Sequence, residues 1–166
     1  MIFKVMSRRN ASKYTFSPEC IFDCIIVSIT DVGSSPNNFN EENKYVKAIL
    51  PLQFDDVDYG QKNCITSEDA RMIIDFVSKW INKVNLVIVH CEAGISRSAG
   101  VCAALMKIFN GNDFEIFDNL RYAPNMTCYR EVLNEYFGKF NENEAKEKYQ
   151  HNINIWKKAN PDLVID

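Results

Sequence analysis

The stretch that most constrains this chain is Leu86 to Ser98, L-V-I-V-H-C-E-A-G-I-S-R-S. Leu86-Val87-Ile88-Val89 is a short, apolar, β-branched run of the kind that forms a buried strand. It stops at His90-Cys91, where five small or polar residues lead to Arg97 and Ser98. From Ser98 to Phe109 the chain is apolar on nearly every side, as a helix buried in the middle of a domain would be. A strand therefore passes to a helix through a loop that holds one cysteine and one arginine.

The backbone N–H groups of Glu92 to Ser98 have no strand partner to donate to. If the loop curls, they converge beside the orphan N–H groups and positive dipole end of the following helix, a point that attracts a dianion. Gly94 permits a positive φ or a close approach, and Arg97 at the rim can hold two phosphate oxygens in a bidentate fork. Cys91 then lies at the bottom of a positive bowl. Thiols in such surroundings titrate between about 3.5 and 7.5 in place of about 8.5, so a thiolate nucleophile at neutral pH is the expectation for Cys91.

Spacing alone is weak evidence, because a C-x5-R arises often by chance in a chain with six cysteines. The context carries the weight: a histidine immediately before, a glycine at the third loop position, a serine immediately after, and the strand-to-helix setting. His90-Cys91-Glu92-Ala93-Gly94-Ile95-Ser96-Arg97-Ser98 resembles the H-C-x-x-G-x-x-R-S signature of the cysteine-dependent protein phosphatases. Its Ala93-Gly94-Ile95-Ser96-Arg97-Ser98 wording is similar to the dual-specificity branch, and to small bacterial or phage-type members in particular. The resemblance implies one α/β domain over 1–166, with a central mixed or parallel sheet of about four strands flanked by helices. It further implies phosphoric monoester hydrolysis through a cysteinyl-phosphate, with no metal or cofactor. Glu92, Ala93, Gly94, Ile95, Ser96 and Arg97 would bind the phosphate.

Composition bounds the rest. At 166 residues and 46% hydrophobic content the chain is long and apolar enough for one core. No apolar run of membrane-spanning length, leader-like segment or lipidation pattern is visible, so a cytoplasmic protein away from membranes is expected. The cysteines at 20, 24, 64, 91, 102 and 128 read as reduced thiols, and apart from Cys91 as small buried hydrophobes. No C-x-x-C or His/Cys cluster suggests a metal. A net charge of −3 does not encourage nucleic acid as a partner.

Along the chain, Ile2 to Met6 alternates like an edge strand, and Ser7 to Ser17 reads as a polar connection with a solvated Arg8-Arg9 pair. Cys24 to Ile29 fits a central strand, and Asp31 reads as a turn or cap residue. Tyr45 to Phe54 is a third strand, with Pro51 expected at its end or at a bulge. A helix is expected from Thr66 or Ser67 to about Lys83, with Ala70, Ile73, Ile74, Val77 and Ile81 on one stripe. Phe114–Arg121 and Thr127–Phe140 read as two more helices. A last one spans about 142–159, its Tyr149, Ile153 and Trp156 forming a stripe expected to dock on its own domain. Ala123-Pro124-Asn125 is similar to the P-N-x-x-x-hydrophobic segment of dual-specificity phosphatases, which makes Asn125 a support for the cysteine loop; a Pro-Asn turn at a helix start is the other reading.

The family chemistry also needs an acid to protonate the leaving group. The resemblance implies an aspartate some thirty-odd residues before Cys91 at a strand end, and Asp55, Asp56 and Asp58 all fit. Phe54-Asp55-Asp56-Val57 is similar to the F-x-D-[IV] pattern of bacterial relatives, which points to Asp56, with Asp55 as the alternative acid. The segment 55–65 is longer than the usual acid loop. Repulsion between the adjacent carboxylates is expected to raise the pKa of one. By the same resemblance Ser98 would stabilise the leaving thiolate, while His90 would orient the loop, its side chain pointing away from the nucleophile. With Glu92 and no lysine in the loop, highly anionic inositol phosphates and RNA 5′-triphosphates are disfavoured, and a phosphorylated protein or peptide is the expected substrate. The rivals are a catalytically silent phosphate-binding module, and a sulfurtransferase or arsenate reductase built on a similar anion loop.

Overall fold

The apolar runs of the sequence become four parallel strands in a computed structural model, which describes residues 1–163; the last three residues of the expected domain lie outside it. The strands are β1 (Ile2–Ser7), β2 (Cys24–Thr30), β3 (Val46–Gln53) and β4 (Leu86–Cys91). Their order is β1-β4-β2-β3 and every pairing is parallel, which settles the mixed-or-parallel alternative. The two inner strands, β2 and β4, are buried along their whole length, as a sheet covered on both faces requires. Among the described residues six α-helices complete the fold: α1 (Arg8–Phe16), α2 (Ser67–Trp80), α3 (Arg97–Asn110), α4 (Phe114–Phe117), α5 (Met126–Phe137) and α6 (Glu142–Ala159).

The two faces of the sheet follow from the period of two along a strand. Val87, Val89 and Cys91 of β4 join α2, α3, α4 and α5 in the larger core. Leu86 and Ile88 face the smaller one, closed by Ala11 and Tyr14 of α1 and by Phe39 and Tyr45. The helix at α3 is apolar on all sides because it lies between sheet and α5, and Arg97 to Met106 are all buried. Gly100 makes that closeness possible, since a Cβ there would stand 2.3 Å from the Asn125 carbonyl oxygen.

Several sequence expectations are corrected here. Ser7 to Ser17 is mostly helix, not a connection: the Ser7 hydroxyl accepts from the Asn10 N–H and caps α1. Pro51 lies inside β3 with no bulge at its own position, because β3 is an edge strand and needs only one ladder. The α2 start holds, with a Thr66–Asp69 capping box, but the helix ends at Trp80. The helix expected over Phe114–Arg121 shrinks to one turn, Phe114–Phe117: Asn119 N–H and Tyr122 N–H make tight turn bonds to the Ile116 and Asn119 carbonyls, and the chain beyond is tied to the cysteine loop, Ala123 N–H to the Ile95 carbonyl at 3.1 Å and Asn125 N–H to the Ser96 carbonyl at 3.1 Å. The next helix stops at Phe137, three residues before Phe140, where Gly138 takes φ +71°.

The bounds of α6 match the 142–159 expectation, but its docking face does not. Ala145 and Asn152 are the buried residues. The Asn152 amide donates to the Phe117 carbonyl at 3.1 Å, and Lys148 reaches buried Asp113, which also accepts from the Tyr129 hydroxyl at 2.6 Å. Tyr149 and Trp156, from the expected stripe, remain 50% and 43% exposed. Among the described residues no helix is long and apolar enough to cross a membrane.

Candidate active site

In a parallel sheet all strands deliver their carboxyl ends to one edge, where open α/β proteins hold ligands. Each strand here contributes there: Arg8 just after β1, Asp31 just after β2, Phe54 to Asp56 just after β3, and Cys91 at the end of β4. Strand alternation turns Cys91 toward the helices and His90 the other way, as expected. His90 is fully buried against Phe39, with Nε2 2.7 Å from the Ser28 hydroxyl and Nδ1 3.4 Å from the Cys91 carbonyl oxygen. Burial lowers its pKa from 6.5 to about 4, so the ring is neutral at physiological pH.

The loop from Glu92 to Ser96 is held by its carbonyls. Glu92 O accepts from the Arg8 N–H, Ile95 O from Ala123 N–H, and Ser96 O from the N–H groups of Gly100 and Asn125. Among the described residues, no protein group accepts from the amides of Glu92 to Ser96, which leaves a row of free donors beside the α3 N-terminus. Such a nest is an anion site by its dipoles. Gly94 has φ +70°, and a Cβ there would stand 2.5 Å from Met6 C and Ser7 N, so both conformation and space demand glycine. The Cys91 sulfur is 2% exposed as a residue and lies 3.0 Å from the Ser98 hydroxyl, itself fully buried.

Arg97 is fixed from two sides. Its Nη1 donates to the Phe54 carbonyl oxygen at 2.6 Å and its Nη2 to Asp31 Oδ1 at 2.6 Å. The residue is 4% exposed, and its buried Nε meets no protein acceptor. Asp31 is therefore more than a turn residue: its carbonyl does accept from Ser34 N–H, but its carboxylate balances the arginine. The solvated reading of Arg8 is also corrected. Its guanidinium bonds Glu92 Oε2 at 3.3 Å and the Ser35 carbonyl at 2.6 Å, linking the cysteine loop to residues 35–36; Arg9 is exposed as expected.

The three candidate acids separate clearly. Asp56 Oδ1 accepts from the Ser96 hydroxyl and the Asn125 amide, both at 2.8 Å. Asp55 turns away, accepting from Val32 N–H at 3.0 Å and Asn63 Nδ2 at 2.7 Å. Those bonds hold the Asp55 carboxyl below its usual range. Asp58 is exposed, and its side chain has no hydrogen bond to the loop. Asn125 bonds Asp56 through its amide and Ser96 through its N–H, and its Oδ1 also caps α5 by accepting from Cys128 N–H.

Among the other thiols, burial pushes Cys24 up to about 12 and moves Cys64, Cys102 and Cys128 upward as well. None of these four competes as a thiolate. The residues that sequence reasoning missed are Arg8, Asp31 and the Phe54 carbonyl. Each carries only the signal of standing just past a strand, and that becomes informative once the strand order is known.

A site of this shape, an amide-lined cup with a cysteine at its base and an anchored arginine, invites comparison with known proteins. A search of curated protein sequences found no match. Human DUSP28 shares the fold at a TM-score of 0.59 and 16% identity, over 82% of this chain and 92% of that one. The human tyrosine phosphatase-like serine/threonine/tyrosine-interacting protein does so at 0.51 and 21%, over 69% and 76%. These likenesses concern the fold alone. The sequence model of the dual specificity phosphatase catalytic domain matches residues 10–137, a span that takes in the cysteine loop and Asp31, Asp56 and Asn125, and the chain belongs to that family.

Proposed function

We propose that this protein is an active cysteine-dependent phosphatase that hydrolyses phosphotyrosine in proteins or peptides, and phosphoserine and phosphothreonine with it if the cleft is shallow. The observation that carries the reading is the cup itself: unengaged loop amides, the Cys91 sulfur 3.0 Å from Ser98 Oγ, and Arg97 anchored with a buried Nε left to donate. A phosphate dianion meets inward-facing donors on one side and a guanidinium on the other, which stabilises the charge gathered on its oxygens during transfer. Cys91 Sγ attacks phosphorus as a thiolate and forms the cysteinyl-phosphate, while the ester oxygen departs with a proton from Asp56. Asp56 suits this step because its Oδ1 is held by Ser96 and Asn125 beside the loop. Water then cleaves the S–P bond with Asp56 as base, and the Ser98 hydroxyl donates to the departing thiolate.

The test is turnover of p-nitrophenyl phosphate by the wild-type protein and by Cys91→Ser. Activity abolished by the substitution, with inorganic phosphate still bound, supports the reading. Tight phosphate binding without turnover in the wild type would instead make it a silent phosphate-binding module, and thiosulfate or arsenate consumed faster than aryl phosphate would favour the other rival chemistry.

A further inference from the structure

The exposed face of α6 lines a groove of about 920 Å³ that starts at the rim of the cup. Ile95, Ser96 and Asp56 belong to its wall, whereas Cys91 and Arg97 do not. Lys146, Tyr149, Ile153 and Trp156 form the opposite wall, at the 3-4-3 spacing that puts four side chains on one helix face. This helix lies past residue 137, outside the part of the chain that matches the family. It is anchored through Ala145, Lys148 and Asn152, so the aromatic face is not needed to hold it.

We infer that this groove holds the peptide chain flanking the phosphorylated residue, and that its α6 wall selects flanking residues that are apolar and acidic; the inference rests on the protein phosphatase reading above. Ile95, Leu120, Tyr149 and Trp156 are each 41% to 50% exposed and line one groove, an apolar lane of the kind that marks an interaction site. Its charges are unbalanced away from the cup. Arg121 and Lys146 have no carboxylate partner among the described residues, the Arg121 guanidinium lying 5.8 Å from the Tyr122 ring centroid, whereas Arg130 is paired with Glu142 at 3.1 Å. Asp56 and Asp58 stand at the cup end. From Lys146 to Trp156 the helix rises about 15 Å, enough for about four or five residues of extended chain. Acidic side chains would meet the two free cations, and apolar ones the rings of Tyr149 and Trp156. A lipid tail fits less well, because cations and amides alternate with the apolar residues along both walls.

The test compares kcat/KM for two phosphotyrosyl peptides of equal length, one flanked by Glu and Leu and the other by Lys and Ser, each divided by kcat/KM for p-nitrophenyl phosphate. The wild type should favour the acidic peptide by about tenfold or more. The double substitution Arg121→Glu, Lys146→Glu should lower the acidic-peptide ratio about fivefold and raise the basic one. Trp156→Ala should lower it without reversing the charge preference. Unchanged ratios in both variants overturn the inference, and so does a loss confined to a short-chain phosphoinositide, which would assign the groove to lipid. If the wild type turns over no p-nitrophenyl phosphate, the catalytic reading fails separately. Fluorescence anisotropy of the same labelled peptides then decides the groove: weaker binding of the acidic peptide by the charge-reversed protein supports it, and equal binding overturns it.

Discussion

At the scale of single residues, the site depends on groups that hold the chemistry in place. Asp31 is half exposed yet bonds a buried guanidinium at 2.6 Å, so Asp31→Asn should lower kcat/KM for p-nitrophenyl phosphate by about tenfold to a hundredfold through a loosened Arg97. The acids are separated by leaving group. Asp56→Asn should lower kcat by about a hundredfold or more on phenyl phosphate, whose leaving group is poor, and far less on p-nitrophenyl phosphate. Asp55→Asn should show no such dependence, and the reverse pattern would transfer the role. His90 gives a pH signature. Because folding lowers its pKa from 6.5 to about 4, the unfolded chain takes up the proton first. The stability it confers is full above about pH 6.5 and drains away as pH falls toward 4. Urea unfolding at pH 7 and 4.5 should show the wild type losing on the order of 2 kcal/mol more than His90→Gln.

At the scale of elements, the phosphate loop is shaped by what it packs on. Its carbonyls are engaged by Arg8, Ala123, Gly100 and Asn125, and Gly94 presses on the end of β1 with no room for a methyl group. Gly94→Ala therefore combines a disfavoured φ with a backbone clash. Inorganic phosphate should bind at least tenfold more weakly, as measured by protection against iodoacetate labelling of Cys91. Unaltered protection would mean that the loop tolerates displacement. The strand, loop and helix of this unit were legible in the sequence because buried β-branched runs, a glycine and an all-round apolar helix each have local causes. The shortened α4 was not, since the segment that follows it is tied through the Ala123 and Asn125 amides to a loop some thirty residues earlier in the chain.

At the scale of the whole molecule, α6 is joined to the domain by a buried polar network. Asp113, 1% exposed, receives the Tyr129 hydroxyl and the Lys148 ammonium. Lys148→Met would leave that carboxylate buried with only the Tyr129 hydroxyl, a loss of about 3 kcal/mol, read as a lower urea midpoint. The double substitution with Asp113→Leu should recover part of it, because it removes the uncompensated charge. The periodicity of α6 gave its length correctly and its buried face wrongly. Apolar residues at helical spacing mark a face that can be buried; the buried face here is the one where Asn152 and Lys148 find partners on α4 and the segments beside it.

The sequence by itself determined the cup: the cysteine, the glycine with its positive φ, the arginine and the flanking strand and helix are neighbours in the chain, so their geometry follows from local backbone and dipole physics. Only the tertiary structure decided what surrounds it. Asp31 and the Phe54 carbonyl reach Arg97, and Arg8 reaches Glu92, because four parallel strands end at one edge, and it is Asp56, not Asp55, whose carboxylate meets Ser96 and Asn125. Those contacts join residues dozens of positions apart, and only strand order and helix docking bring them within hydrogen-bond reach.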